Sequence, residues 1–297
     1  MKQLLVFSAV FVWVSTAYSQ GSTTGGSALK LPLTALSASL GESDVAVAGL
    51  SSAFASNPGI LGRLTETEII FTHLQWIQEI NGQSLFAGTP LPFGSAALGV
   101  MAMSIPGIEV RDRPGPAIGT FAARALSIRG LFAGQVSQDF SVGAGLKYLY
   151  EKLYVDDATG YAADVGAFYT PANQPVTVGA ALLNLGAMEA FRSEPTALPT
   201  SAVAGGSYRF SANAFDILLA AAVSHDTHLG ETQMHFGGTV AYRGFVALRM
   251  GYQTGFESRG LSAGLGIRFQ FVRLEYAYVP FGLDLGNAQM LSIDLTI

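Results

Sequence analysis

Between Gly244 and Ile297 the side chains fall into two alternating lists. Val246, Leu248, Met250 and Tyr252 alternate with Ala247, Arg249, Gly251 and Gln253. Leu261, Ala263, Leu265, Ile267 and Phe269 alternate with Ser262, Gly264, Gly266 and Arg268. Val272, Leu274, Tyr276 and Tyr278 alternate with Arg273, Glu275 and Ala277, and Leu291, Ile293, Leu295 and Ile297 with Ser292, Asp294 and Thr296. A period of two is the signature of a strand with one apolar face and one small or charged face. Four such runs joined by short turns predict antiparallel hairpins, and the apolar face must meet either a protein core or lipid.

Composition leans toward lipid. Only 12% of the residues are charged and 49% are hydrophobic, with a mean hydropathy of +0.37. An ordinary soluble domain carries roughly 25% charged residues. Past the N-terminus no stretch reaches the ~18 uninterrupted apolar residues of a membrane helix. A chain this apolar without a spanning helix is either an unusually greasy soluble β-protein or a transmembrane barrel, and the composition leans toward the barrel. The 35 glycines suit closely packed, coiled strands better than helices.

Residues 1–19 read as a secretory signal peptide: Lys2 is the positive start, Leu4 to Val14 the apolar region, and Ala17-Tyr18-Ser19 a small-x-small cleavage site. With no cysteine, disulfides, thiol catalysis and Cys-based metal sites are excluded. The net charge of −5 argues against a nucleic-acid partner. Export, strands and the missing cysteines together predict the outer membrane of a diderm bacterium.

Residues 20–65 are small and polar, with weak helical character and a strong turn signal at Asn57-Pro58-Gly59. They are expected to plug the lumen; the alternative is a loose periplasmic extension. From residue 66 to 297 fourteen strands are predicted: 66–78, 83–91, 94–105, 119–137, 139–154, 160–170, 175–184, 200–210, 214–226, 231–242, 245–254, 259–269, 270–280 and 288–297. Most reach the ~9–11 residues of a tilted membrane strand, and an even count is the bacterial rule. Tight turns at 90–93, 138–139, 172–175, 211–214, 243–244 and 270 interleave with longer loops at 106–118, 155–159, 186–199, 225–230, 254–259 and 280–287. Only a short turn at Asn81-Gly82 breaks that order. Short turns on one side and long loops on the other is the outer-membrane pattern. Tyr208, Phe210, Tyr242, Phe245, Phe269 and Phe271 flank the short turns; Tyr150, Tyr154, Tyr252, Phe256, Tyr278 and Phe281 flank the long loops, as two interfacial belts would. The fold expectation is thus all-β, a transmembrane antiparallel barrel closed by pairing the last strand to the first.

If the apolar lists meet lipid, the lumen collects Arg129, Lys147, Glu151, Asp164, Arg249, Arg268, Arg273, Glu275 and Asp294. Mixed signs predict salt-bridge ladders bracing the interior, ahead of a selectivity site, which needs an open lumen. Asn184 and the loop with Arg111, Asp112 and Arg113 stay unassigned. His225, Asp226, His228 and Glu231 could ligate zinc if a hairpin tip turned all four inward; an exposed tip is the ordinary reading. Ser224-His225-Asp226 cannot form a relay, because adjacent strand residues point to opposite faces. No catalytic constellation or cofactor motif emerges, so an enzyme is not expected.

In order and spacing the chain resembles the PorV/PorQ family, barrels related to the long-chain fatty-acid channel FadL. The likeness is carried by Ala28-Leu29-Lys30-Leu31-Pro32, Asn57-Pro58, Gly145-x-Lys147, Ala163-Asp164-Val165-Gly166, Asn184-Leu185-Gly186 and Gly205-Gly206-Ser207-Tyr208. It is closest from Leu248-Arg249-Met250-Gly251-Tyr252 through Leu274-Glu275-Tyr276-Ala277-Tyr278-Val279-Pro280. The resemblance implies fourteen strands and an N-terminal plug. PorV-like members serve type IX secretion, with secreted cargo proteins and secretion machinery as partners. FadL-like members admit hydrophobic small molecules past the plug and release them sideways. The secretion-associated role is the expectation here, with the channel as alternative.

Overall fold

The computed structural model describes residues 26–190 and 196–297; the expected signal peptide lies outside the described residues. Fourteen antiparallel strands form a closed ring: β1 (Glu68–Gln75), β2 (Asn81–Leu91), β3 (Gly94–Val110), β4 (Gly119–Gln135), β5 (Phe140–Leu153), β6 (Asp156–Tyr169), β7 (Val176–Met188), β8 (Ser201–Ala212), β9 (Phe215–Asp226), β10 (Thr232–Tyr242), β11 (Val246–Gln253), β12 (Leu261–Phe269), β13 (Val272–Pro280) and β14 (Asn287–Thr296). A two-residue piece, Thr196–Ala197, adds to the end of β7. The ring closes where Glu68 to Gln75 of β1 pair with Thr296 to Gln289 of β14. Closure leaves no strand edge around the ring, so the backbone polar groups are paired within the sheet even where hydrocarbon surrounds it.

Alternation does what the sequence required of it. On β11, Leu248 and Met250 are 61% and 68% exposed while Arg249 and Gln253 are buried. Leu98 and Leu146, each 72% exposed, repeat the pattern on β3 and β5. A wall with leucine outside and arginine inside is inverted relative to a soluble protein, and the protein is an outer-membrane β-barrel. Among the described residues no helix is long and apolar enough to cross a membrane; the strands cross it.

The connections alternate as expected, with three corrections. The first hairpin turns at 76–80, where Gln78 and Glu79 take positive φ, so Asn81-Gly82 starts β2 instead of forming the turn. Leu153 pairs with Asp156, so 156–159 is strand and the turn is Tyr154-Val155. β3 runs on to Val110 through a bulge at Pro106-Gly107, which lengthens the β3–β4 hairpin beyond its neighbours. Both chain ends of the ring lie with the short turns, on the side that faces the periplasm. Six belt aromatics beside the short turns are exposed. At the other rim Phe256 and Phe281 turn inward instead, against Arg259 and Trp76.

Residues 26–64 lie inside the ring. Three short 3-10 segments (Ser27–Lys30, Asp44–Ala46, Pro58–Arg63) and two short helices, α1 (Ala35–Ser39) and α2 (Leu50–Ala55), follow the inner wall. Val45, Phe54, Ile60 and Leu61 join Ile70, Phe86, Met101 and Phe168 of the strands in one apolar core, with Phe54 stacked on Phe86 at 4.3 Å. Strand glycines make the seat. A methyl on Gly143 would strike the Pro58 carbonyl, on Gly166 the Asn57 side chain, on Gly179 the Val45 carbonyl, on Gly237 Ser43 and Leu40, and on Gly251 the Gly41 backbone. Gly143–Gly166, Gly179–Gly205 and Gly237–Gly251 are directly opposed cross-strand pairs. Bare backbone on the wall lets the backbone of the inner segment approach within contact distance.

Candidate functional site

Asn57 fastens the inner segment. Its side-chain amide donates to the carbonyls of Val45 (2.9 Å) and Ala167 (3.0 Å) and accepts from the Gly59 N–H (2.9 Å). The amide thus ties two turns of the segment to β6, while Pro58 opens the last 3-10 turn and the Ser141 hydroxyl donates to the Gly59 carbonyl at 2.8 Å. Only an amide offers donors and an acceptor on one short arm.

The nine lumen-facing polar residues separate into two clusters and two outliers. On β11, β13 and β14, Arg249 pairs bidentately with Glu275, its second contact at 2.9 Å, and both are buried. Arg273, partly exposed at the periplasmic end, reaches Glu275 at 3.9 Å and Asp294 at 3.8 Å. On β4 to β7, Lys147 lies 2.7 Å from Asp164 and donates to Asn184 at 2.6 Å. Arg129, buried beside them, donates to the Phe54 carbonyl of the inner segment at 3.2 Å. Arg268 is the first outlier: it lies on the inward register but at the exposed periplasmic rim, opposite Arg273. Glu151 is the second, near the extracellular end of β5 and apart from both clusters, taking a backbone hydrogen bond from Gly26.

Asn184 turns out to be structural. Asp164 opposes two residues, Leu183 and Asn184, across a bulge between β6 and β7. Asn184 takes a left-handed φ of 59°, its N–H donates to the Asp164 carboxylate (2.8 Å), and its side-chain amide donates to the Pro199 carbonyl (3.1 Å). A residue that tolerates positive φ and carries its own hydrogen-bonding arm is what such a bulge needs.

The His225 constellation disperses. His225 points outward to Thr232 (2.9 Å), Asp226 accepts from the backbone of His228 and Leu229, and no metal-competent cluster forms among the described residues. Ser224 points inward instead, bonding His235 (2.8 Å), whose other ring nitrogen meets the Gly41 carbonyl (2.9 Å). Sequence spacing gave no sign of this pair, since Ser224 and His235 sit on different strands. Arg111 folds back on Glu109 and the Gly115 carbonyl in the exposed β3–β4 tip.

Two cavities flank the inner segment on its extracellular side. One, about 280 Å³, is polar and charged, with Lys30, Glu42, Arg129, Lys147, His235 and Arg259 among its walls. In its wall Glu42 meets Arg259 at 3.3 Å and accepts from Gln253 at 2.9 Å. The other, about 420 Å³, is apolar: Ala28 and Leu31 of the segment face Met103, Ile105, Ile108, Ala123, Ala125 and Leu153 of β3, β4 and β5, beneath the Pro106-Gly107 bulge. On the outside of the barrel a shallow apolar groove of about 760 Å³ runs over β5 to β9 past Val165, Leu182 and Val203. Val203 also borders the polar cavity, so groove and cavity lie back to back beside the Asn184 bulge.

No protein-family model matches the chain, and no curated protein matches it in sequence. Solved structures do match. The toluene transporter TodX of Pseudomonas putida superposes with a TM-score of 0.59 at 12% identity, covering 89% of this chain and 96% of that one. The toluene transporter TbuX of Ralstonia pickettii gives 0.56 at 13%, covering 89% and 97%. The monoaromatic hydrocarbon channel CymD gives 0.50 at 15%, covering 81% and 90%. At such identities the likeness is one of fold, that of an outer-membrane channel barrel; it gives no support to the PorV/PorQ assignment.

Proposed function

We propose that this barrel is a channel for hydrophobic small molecules, with residues 26–64 as its plug. The observation that carries the reading is the apolar pocket of about 420 Å³ between the segment and the β3–β5 wall, at the extracellular end. Its volume suits a small-molecule ligand, and its walls are those of a hydrophobic site. The structural neighbours whose names state a cargo are toluene transporters and a monoaromatic hydrocarbon channel. Asn57, Pro58 and Gly59 hold the plug, and the Arg249–Glu275 and Lys147–Asp164 pairs brace the lumen wall. Exit runs sideways at the β6–β7 bulge, where the ladder is already interrupted and the outer groove begins. Outer-membrane lipid is the partner that takes up the released molecule. The secretion-associated reading, with exported proteins or secretion machinery as partners, draws no support from these neighbours.

The test is uptake of a hydrophobic fluorescent probe by cells carrying the protein. Ala125→Phe, which fills the pocket, should lower uptake at least fivefold while the barrel still folds, as judged by its heat-modifiable gel mobility. Unchanged uptake with the pocket filled would overturn the reading.

A further inference from the structure

Among the described residues, the inward-facing wall of the apolar pocket carries one charged side chain. Walking along β5, Lys147, Leu149, Glu151 and Leu153 alternate on the inward face, so Glu151 belongs to the pocket wall. Ser104, Arg124 and Lys152 also border the pocket, but they share the outward register, and the two cations are exposed there. The inward lining is therefore aliphatic side chains, the Met103 thioether and a single carboxylate. That carboxylate accepts a backbone hydrogen bond from Gly26, and among the described residues the inward lining holds no cation to compensate its charge. An ionised carboxylate has about four acceptor sites, so capacity remains on the side facing the pocket.

A ligand filling this space displaces the water that serves those sites. A bare hydrocarbon would leave the carboxylate unserved, and a carboxylate ligand would bring a like charge against it in a confined, weakly screened place. A ligand ending in a hydroxyl or an ammonium group replaces the lost water with a hydrogen bond to a charged acceptor. Such a bond, made or left unmade, corresponds to roughly ten- to hundredfold in affinity.

We infer that the pocket selects aliphatic molecules carrying one hydrogen-bond-donating head, an alcohol or an amine, with Glu151 as the residue that reads the head. This rests on the reading of the barrel as a channel for hydrophobic small molecules. It makes Glu151 a specificity determinant, unlike the paired lumen charges, and it separates this chain's cargo from a plain hydrocarbon.

The experiment is calorimetric binding of four eight-carbon probes (octylamine, 1-octanol, octane and octanoate) to the full-length mature chain in phosphatidylcholine nanodiscs, with empty nanodiscs subtracted. Saturable binding of octylamine and 1-octanol about tenfold tighter than octane, with octanoate weakest, is the expected order. Glu151→Gln should shift the octylamine-to-octanoate ratio at least tenfold toward octanoate. Octanoate within threefold of octylamine in the unsubstituted protein, or a ratio that Glu151→Gln leaves unmoved, would overturn the inference and leave the channel intact. If none of the four shows saturable binding that Ala125→Phe removes, the channel reading itself fails, and the selectivity with it.

Discussion

The wall from β5 to β8 and the wall from β11 to β14 both bury charges toward the lumen, and they use them for opposite purposes. In the second wall the strands are 8, 9, 9 and 10 residues long, their registers run unbroken, and Arg249 grips Glu275 with two parallel hydrogen bonds. In the first wall the strands are 14, 14, 13 and 12 residues long, and the β6–β7 register slips at Asp164. There Lys147 divides itself between Asp164 and Asn184, and Arg129 of the adjoining β4 donates to the inner segment. A fork-to-fork pair locks two rigid planes together. A lysine, a point charge with three rotatable donors, instead stabilises a place where the ladder is broken. Identical charge types can therefore clamp one wall and hold an irregularity in the other; geometry, not charge content, separates the two.

The largest expected effect lies in the clamped wall. Glu275→Gln leaves Arg249 buried without its partner and should cost about 3–5 kcal/mol, read from the urea unfolding midpoint in lipid vesicles. A loss under 1 kcal/mol would mean that this wall does not depend on the fork.

Next in size is a pH effect at Asp44, which packs against the irregular wall through the Asp44–Ala46 turn. Burial raises its pKa to about 6 from 3.8, with the Ser37 hydroxyl offsetting part of the shift. Because the folded-state value lies above the ordinary one, proton uptake favours the docked segment. Stability should rise as pH falls through 6 and level off near 3.8, by about 3 kcal/mol in total. Asp44→Asn should remove that slope; an equally steep slope in the variant would assign it elsewhere.

A third comparison uses the absence of native cysteine. Ala163→Cys with Leu185→Cys bridges β6 and β7 beside the bulge, and Leu265→Cys with Tyr276→Cys bridges the unbroken wall. Oxidising the first pair should reduce probe uptake about tenfold (~1.4 kcal/mol in barrier), reversibly with reductant. The second should change it less than twofold. Equal effects would place the exit away from the bulge. The smallest effect is expected of Arg273→Gln: its partly exposed guanidinium reaches its two buried partners only at 3.8 and 3.9 Å, and the loss should be under about 1 kcal/mol in the same unfolding assay.

Much of the ring was legible because lipid enforces period two so strictly: every strand predicted between 66 and 297 is present. Turn chemistry was less faithful. Asn81-Gly82 carries the strongest hairpin signal yet enters β2, because Trp76, held against Phe281, starts the turn five residues earlier. Tyr154-Val155 carries none and makes the tightest turn on that rim, since the flanking pairs dictate it. Asn184 stood out as an oddity, but a bulge is a relation between two strands and has no one-strand signature. Glu151 and Arg249 looked alike as inward charges; only their neighbours tell a lone acceptor from half of a pair.

The glycine seat has one consequence for how the molecule is completed. A wall that presents hydrogen atoms where side chains would stand has nothing of its own to fill the gap. Until residues 39–59 arrive, that trough must be flooded, and the water in it solvates the exposed peptide groups. Completion is then a drying event, in which solvent leaves as the chain lies down, and a single added methyl at Gly166 would keep the trough wet.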